Sequence, residues 1–420
     1  MRAFWCVLAM AAACSAQQAV RPKDVREIAK AGSSAIPRLT ELLNDRSRDV
    51  RLEAVKQITE IGPPRSLDPL VQATHDNDPE VQIAATDGIV NFYMPGYVKT
   101  GISGSLRKVG TGIKGRFTDT NDQVIEPYIT VRADVVAALG RLVRGGASLD
   151  ARANAARAVG ILRGKDAVAD LLDATHSKDT QLIYESLIAL QKIRDESAGP
   201  RIEFLLRDLN AKVQIAAMET VGLLRDKEAV PALADVLRRS GDAKVRRSAL
   251  TAMAMLPDES SRALYLQYLN DKDDRLRAAA AEGIGRLRNP SDRAALEKAW
   301  QDENKTEPRL SLAFALVMDG KTELSEFSPL QFLINNLNSA AYNGEAEPFL
   351  VELAREPAVR ALLYAPLQSG TKDEKIGLAR VLGRSGDKSS IEPLQKLTND
   401  ADHDVSQAAL NAVRNLQAKL

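Results

Sequence analysis

The chain has 420 residues, of which 45% are hydrophobic and only 4% are aromatic, and 57 Lys and Arg stand against 56 Asp and Glu. Ala and Leu dominate the apolar residues, which suits thin layers of helix on helix rather than one deep core. The two cysteines are Cys6 and Cys14, so the rest of the chain can hold no disulfide, thiol nucleophile or cysteine metal ligand.

Residues 1–16 are predicted to be a secretory signal peptide. Arg2 supplies a positive charge, residues 3–13 form an unbroken apolar run, and small residues follow up to Ala16. The run is too short to span a bilayer. Cleavage after Ala16 is favoured, but the residues before Cys14 resemble a loose bacterial lipobox, so a lipidated Cys14 stays open. Either way, we expect an exported protein, periplasmic or extracellular.

One sequence motif recurs about every 31 residues over 35–420, after an N-terminal lead-in at 17–34. Each copy starts at an anchor residue such as Val50, with a small residue four positions later and an apolar residue eight positions later. The anchors are residues 50, 81, 151, 182, 213, 245, 276, 308, 374 and 405. A fixed period of this length is typical of a solenoid, in which each repeat contacts only its neighbours. The predicted fold is an all-α solenoid of about ten helix pairs.

Each repeat is predicted to contain two helices, A and B. In the repeat at 227–257, Pro231 lies in the first turn of helix A, and Val245, Ala249 and Met253 share one face of helix B. The Asp-rich turns between A and B could suggest calcium, but they lack the Gly and terminal Glu of an EF-hand loop. We therefore predict that these Asp residues cap helix B.

Two regions, 91–130 and 318–372, interrupt the period. The first is predicted to be an insertion, and its 97–117 segment carries five basic residues and no acid. It is either a structured loop packed on the array or a contact element for a partner or an anionic membrane. The possible contact residues are Phe92, Tyr93, Tyr97, Lys99, Arg107, Lys108, Lys114, Arg116 and Phe117. The second region is predicted to be one degenerate repeat with longer helices.

Helix pairs of this length, with Pro-Leu in helix A and Val-Arg in helix B, resemble HEAT repeats, an armadillo-type fold. They are similar to the short repeats of phycobilin-lyase-type HEAT proteins, and the resemblance covers about 35–420. It implies that the B helices line the concave face. Some HEAT-type hydroxylases bind iron through His-Glu pairs, but His75, His176 and His403 are not followed by Glu. No catalytic residue, metal ligand or cofactor is therefore predicted.

Nucleic-acid binding would require a coherent basic stripe. The positions expected to face the concave surface, six residues after each anchor, are instead mixed in charge: Lys56, Asp87, Arg157, Glu219, Thr251, Glu282 and Arg380. No nucleic-acid partner is expected.

The leading functional hypothesis is a non-catalytic scaffold that binds a protein or peptide in the periplasm or cell envelope. One alternative is a membrane-surface protein held by the 97–117 segment or by a lipidated Cys14. The other is a lyase-like or hydroxylase-like HEAT enzyme with an unrecognised carboxylate site. The sequence identifies neither the partner nor the oligomeric state.

Overall fold

A computed structural model describes residues 20–98 and 123–420, and within these two stretches all regular secondary structure is helical. The chain divides into two compact units, residues 1–104 and 105–420, and the boundary falls inside the predicted insertion at 91–130. The predicted signal peptide at 1–16 lies outside the described residues. The all-α solenoid predicted from the repeat is confirmed.

In the first unit, two A and B helix pairs follow one leading helix, which lies within the predicted lead-in and packs on the first B helix. Val50 and Val81, the two anchors in this unit, are fully buried in the B helices. The helices are α1 (Pro22–Ala29), α2 (Ile36–Leu42), α3 (Arg48–Ile61), α4 (Leu67–Ala73) and α5 (Pro79–Tyr93).

In the second unit, short A helices alternate with B helices that are mostly longer. The A helix of one repeat is replaced by a 3₁₀ helix, Pro200–Arg207. The α-helices are α6 (Ala133–Gly145), α7 (Leu149–Ile161), α8 (Val168–Ala174), α9 (Thr180–Ile193), α10 (Ala211–Leu223), α11 (Val230–Arg239), α12 (Ala243–Ala254), α13 (Arg262–Tyr268), α14 (Asp274–Leu287), α15 (Arg293–Asp302), α16 (Thr306–Met318), α17 (Pro329–Asn335), α18 (Asn343–Leu353), α19 (Pro357–Leu362), α20 (Tyr364–Ser369), α21 (Lys372–Ser385), α22 (Ile391–Leu397) and α23 (His403–Gln417).

The predicted register of the B helices is confirmed at the anchors. Nine of the ten anchor residues are buried, and the exception is Glu374. The Glu374 side chain instead accepts a hydrogen bond from the backbone N–H of Thr371, 2.9 Å away, in a capping box at the start of α21. The stripe of Val245, Ala249 and Met253 in α12 is buried as well.

Consecutive B helices approach each other most closely at a glycine nine residues after the anchor. A Cβ atom on Gly285 would lie 2.6 Å from the Cα of Ala315, and one on Gly160 would lie 2.7 Å from the Cα of Ala189. Gly222 and Gly383 also lie tightly against the next B helix. The absence of a side chain at these positions therefore lets neighbouring B helices pack backbone to backbone.

The prediction that Asp residues cap the B helices is confirmed. Asp78 accepts hydrogen bonds from the backbone N–H groups of Glu80 and Val81 at 2.9 and 3.2 Å. Asp273 does the same at the start of α14 and also pairs with the guanidinium of Arg247, 2.8 Å away. Burial alone would raise the pKa of Asp273, but the Arg247 hydrogen bond and charge and the backbone N–H groups together lower it.

We expect the Asp273→Asn variant to lose about 1–2 kcal/mol of unfolding free energy at pH 7, because Asn can still cap the helix but cannot pair with Arg247. The pKa of Asp273 is depressed in the folded state, so its stabilisation is present above the ordinary value of 3.8 and is lost as pH falls below it. Denaturant titrations from pH 7 down to about pH 2 should show wild type and variant converging. A difference that stays constant to the lowest pH would contradict this role.

The prediction of longer helices in the degenerate region 318–372 is wrong. The region contains four short helices, α17 to α20, of 7, 11, 6 and 6 residues. Prolines at 329 and 357 start two of these helices, Pro348 lies inside a third, and Gly370 ends the fourth. Proline lacks the N–H donor that a continuous helix needs, so closely spaced prolines divide the region.

Candidate functional site

Four B helices in the second unit end in an arginine with a left-handed backbone. The φ angles are 50°, 62°, 58° and 53° at Arg163, Arg194, Arg225 and Arg288. This conformation favours glycine, and Gly62 and Gly320 occupy the corresponding position in two other repeats, with φ of 73° and 101°. A residue with a Cβ costs about 1–2 kcal/mol there. Backbone preference alone would therefore not place arginine at these positions.

Two of these arginines, Arg163 and Arg194, lie near basic side chains from the C-terminal repeats, and Arg225 lies near Arg194. We define the basic cluster as Arg163, Arg194, Arg225, Arg355, Arg384 and Lys419. All six side chains are accessible to solvent, although the surrounding surface partly covers Arg163, Arg194 and Lys419. Partial burial by the surrounding surface lowers the pKa of Arg194 most, and the positive charges of Arg384, Arg163, Arg225 and Arg355 lower it further.

The cluster joins the first and last repeats of the second unit. Partial burial lowers the pKa of Arg163, as does the charge of Arg384, while the carboxylate of Glu126 opposes this effect. Burial also lowers the pKa of Lys419, with further contributions from Arg384 and Arg163. Glu126 lines one cleft with Arg163 and another with Arg384, so these two arginines lie on the same side of the unit although more than two hundred residues separate them in sequence.

Among residues 123–420, only part of this positive charge is offset by nearby carboxylates. Arg384 donates a hydrogen bond to Glu347 at 3.1 Å, and Arg225 lies 3.9 Å from Glu196. Arg194 instead donates to the carbonyl oxygen of Leu223 at 3.3 Å. Lys419 likewise donates to the carbonyl oxygens of residues 383 and 384, at 3.1 and 2.8 Å. Because a carbonyl carries only a partial charge, the cluster keeps an excess of positive charge.

The non-helical segment 123–132 lies beside the cluster. The backbone N–H of Ile125 donates to the carbonyl oxygen of Ile161 at 3.0 Å, and the Ile125 side chain is buried. One residue later, Glu126 accepts a hydrogen bond from the Asn415 side chain at 3.1 Å. A cleft of about 670 Å³, lined in part by Glu126, Arg384 and Asn415, opens next to this contact.

The contact residues predicted from the insertion are only partly within the described stretches. Phe92 and Tyr93 form the end of α5, and their rings meet edge to face with centroids 5.1 Å apart. Tyr97 lies in a turn where the Asn91 side chain accepts hydrogen bonds from the backbone N–H groups of residues 96 and 98. The remaining predicted residues, Lys99, Arg107, Lys108, Lys114, Arg116 and Phe117, lie outside the described residues. Their contact role stays a prediction.

Of the positions predicted to face the concave surface, Arg157 is buried and Glu282 is half-buried. Arg157 pairs with Glu185 at 2.8 Å, and both side chains lie between consecutive B helices. Glu282 accepts hydrogen bonds from Arg286 at 3.0 Å and from Ser311 at 3.2 Å. These charged groups therefore stabilise the contacts between B helices and are not available to a partner.

The three histidines lie in three different repeats. His75 and His176 lie in turns, whereas His403 is the first residue of α23. His176 stacks on Phe204 with ring centroids 4.5 Å apart. Across residues 20–98 and 123–420, no three His, Cys, Asp or Glu side chains are grouped as a metal ion would require. In the same stretches, no helix has the length and apolar character needed to cross a bilayer.

The repeats match a known protein family. The family model for HEAT repeats matches residues 8–90, 198–259 and 230–317. The chain is a HEAT-repeat protein. This confirms the resemblance seen in the repeat motif. Comparison with curated protein sequences gives no match.

Solved structures similar to this HEAT-repeat protein include an engineered protein at 19% identity, with 91% of this chain and 98% of that chain covered and a TM-score of 0.39. The complex of CpcE and CpcF of phycocyanin lyase from Nostoc matches at 17% identity, with 65% of this chain and 94% of that chain covered and a TM-score of 0.38. Importin beta matches at 12% identity, with 94% of this chain and 65% of that chain covered and a TM-score of 0.41. The HEAT-repeat fold itself supports a role in protein interaction.

Proposed function

We propose that this HEAT-repeat protein is a non-catalytic scaffold that binds another protein or a peptide at the cell envelope. The basic cluster carries the proposal, because its side chains come from repeats at both ends of the second unit. A binding surface of this kind exists only when the repeats are stacked. Exposed arginines at such a surface steer an oppositely charged partner and form paired hydrogen bonds with carboxylates.

The proposed location rests on the N-terminal sequence. Residues 1–16 have the charge, apolar run and small residues of a signal peptide. Mass spectrometry of the mature protein from its native host should give Gln17 as the first residue, or a lipidated Cys14. An unprocessed Met1 would contradict export by this route.

The binding role can be tested by capture from envelope extract, followed by affinity measurement with the purified captured protein. We expect the triple variant Arg163→Gly, Arg194→Gly and Arg225→Gly to lose at least about tenfold in affinity for that protein, because it loses half of the cluster's basic side chains. A matched control replaces three exposed arginines outside the cluster, Arg201, Arg238 and Arg239, by Gln.

The control should bind like the wild type. If the cluster variant also binds like the wild type, the cluster is not the binding surface. If no protein is captured by either form, the scaffold proposal itself fails.

A further inference from the structure

We infer that the basic cluster binds an acidic peptide in an extended conformation, a stretch of a partner protein with several Asp or Glu side chains. This inference rests on the proposed scaffold function and names the chemistry of its partner. It draws on three observations: the spacing of the arginines along the repeats, the segment 123–132 beside them, and the left-handed backbone at three of the six positions.

The spacing of the arginines suits an extended chain. Arg163, Arg194 and Arg225 follow the B helices of three consecutive repeats. Packed helices lie about 8–10 Å apart, and a peptide in the extended polyproline II conformation advances about 3.1 Å per residue with three residues per turn. Successive arginines thus match carboxylates three residues apart, which lie on the same face of such a peptide. A single small anion would contact only one or two of these guanidinium groups.

The molecule already holds an example of such a contact. The segment 123–132 has no helix, and its backbone hydrogen-bonds to the end of α7 through Ile125 and Ile161. Its Glu126 lines a cleft together with Arg163, and the Glu126 carboxylate raises the pKa of Arg163 against the effect of burial. One carboxylate from the chain itself thus lies beside a cluster in which burial, and then the charges of four arginines, lower the pKa of Arg194. A peptide with several carboxylates would compensate the remaining charge.

The left-handed backbone gives independent support. An arginine at this position is less favourable than glycine by about 1 kcal/mol or more. Such local strain persists where another interaction of the residue compensates for it, as the ion pair with Glu356 does at Arg288. Replacing Arg163, Arg194 and Arg225 by Gly should therefore preserve or raise the thermal stability while removing affinity for the peptide. A purely structural role would instead predict that stability falls.

The test uses fluorescence anisotropy with a fluorescein-labelled octaglutamate peptide and the full-length mature protein. We expect saturable binding that weakens as salt is raised and that falls at least about tenfold in the triple Gly variant. The single variant Arg288→Gly is a matched control, because Arg288 has the same backbone conformation but pairs with Glu356 at 2.9 Å. The affinity of this control for octaglutamate should differ from that of the wild type by less than about twofold.

A second variant tests the position of the peptide. Glu126→Gln removes the carboxylate that faces Arg163, yet its amide oxygen can still accept the hydrogen bond from Asn415. We expect this variant to bind octaglutamate about three- to tenfold more tightly, because one competing negative charge is gone. Unchanged or weaker binding would overturn the placement beside Glu126.

Two competitor ligands decide whether the site is specific for an acidic peptide. Inorganic phosphate at equal ionic strength and a single-stranded DNA oligonucleotide should displace octaglutamate poorly. If either competes as well as unlabelled octaglutamate, the inference is wrong and the cluster is a general anion site or a nucleic-acid site. If octaglutamate does not bind while a captured envelope protein still depends on the cluster, this inference fails and the scaffold proposal stands.

Discussion

The Arg157→Ala variant is expected to lose about 3–5 kcal/mol of unfolding free energy, because it leaves the carboxylate of Glu185 buried without its cation. The two side chains are only 4% and 6% exposed and meet at 2.8 and 3.2 Å. Gln181 donates a further hydrogen bond to Glu185 at 2.6 Å, which cannot replace a full positive charge. Unfolding in guanidinium chloride, followed by circular dichroism, would measure the loss of unfolding free energy.

The double variant Arg157→Met with Glu185→Leu is the control for this pair. Replacing both members by apolar side chains of similar volume removes the buried charge together with its partner, so most of the stability should return. If the single variant loses less than about 1 kcal/mol, the pair is not a desolvated ion pair in solution. The same result would mean that α7 and α9 are held together by their apolar contacts alone.

The Gly285→Leu variant is expected to destabilise the second unit by about 3 kcal/mol or more, because the new side chain would overlap the backbone of the next B helix. Its Cβ atom would lie 2.6 Å from the Cα of Ala315, and backbone cannot move aside as a flexible side chain can. Leu is a better helix former than Gly by about 1 kcal/mol, so any measured loss comes from packing. Thermal unfolding and helicity would report the change.

Gly241→Ala provides the contrast. Gly241 lies in the turn between α11 and α12, its φ is negative, and an added Cβ atom would have no heavy atom of another residue within 4 Å beyond its two chain neighbours. Ala should therefore be neutral or slightly stabilising, by up to about 1 kcal/mol. Equal losses in the two variants would show that glycine contributes through chain flexibility and not through close packing of the B helices.

The fold could be predicted well from the sequence because the 31-residue period follows the positions that are buried between neighbouring helices. An anchor such as Val245 is apolar in nine of the ten repeats because it packs on the neighbouring helices, and an Asp such as Asp273 precedes five of the B helices, whose first N–H groups need a partner. These requirements are local and recur with each repeat. They can therefore be recognised without knowing where the repeats lie in space.

The sequence also carries two signals that the repeat motif does not capture. Glycine recurs nine residues after the anchor, as at Gly285, in the last turn of a B helix, where it is less favourable than alanine. Arginine recurs twelve residues after the anchor, as at Arg194, where glycine is the favoured residue. In both cases the recurring residue is unfavourable for the local backbone conformation. Its recurrence therefore indicates a requirement set by contacts outside the helix.

The basic cluster as a whole could not be predicted from the sequence. Arg163 and Arg384 each line a cleft with Glu126, and they lie on the same side because of the path that all the intervening repeats take. No sequence pattern fixes that rotation closely enough to place two residues so distant in the chain. The burial of Arg157 escapes prediction for a related reason, since an arginine six residues after an anchor could face either the concave surface or the next B helix.

The contact between Glu126 and Asn415 has a consequence for how the second unit unfolds. In a repeat array, each terminal repeat has a neighbour on one side only, so the ends normally open first and protect their amide hydrogens least. Here the segment before the first helix of the unit is bonded to the last helix, 289 residues away. Opening either end must break this contact, so the hydrogen bond adds up to about 1 kcal/mol to the free energy of opening at each end of the second unit. The amide hydrogens of its first and last repeats should therefore be better protected than at ends without such a contact.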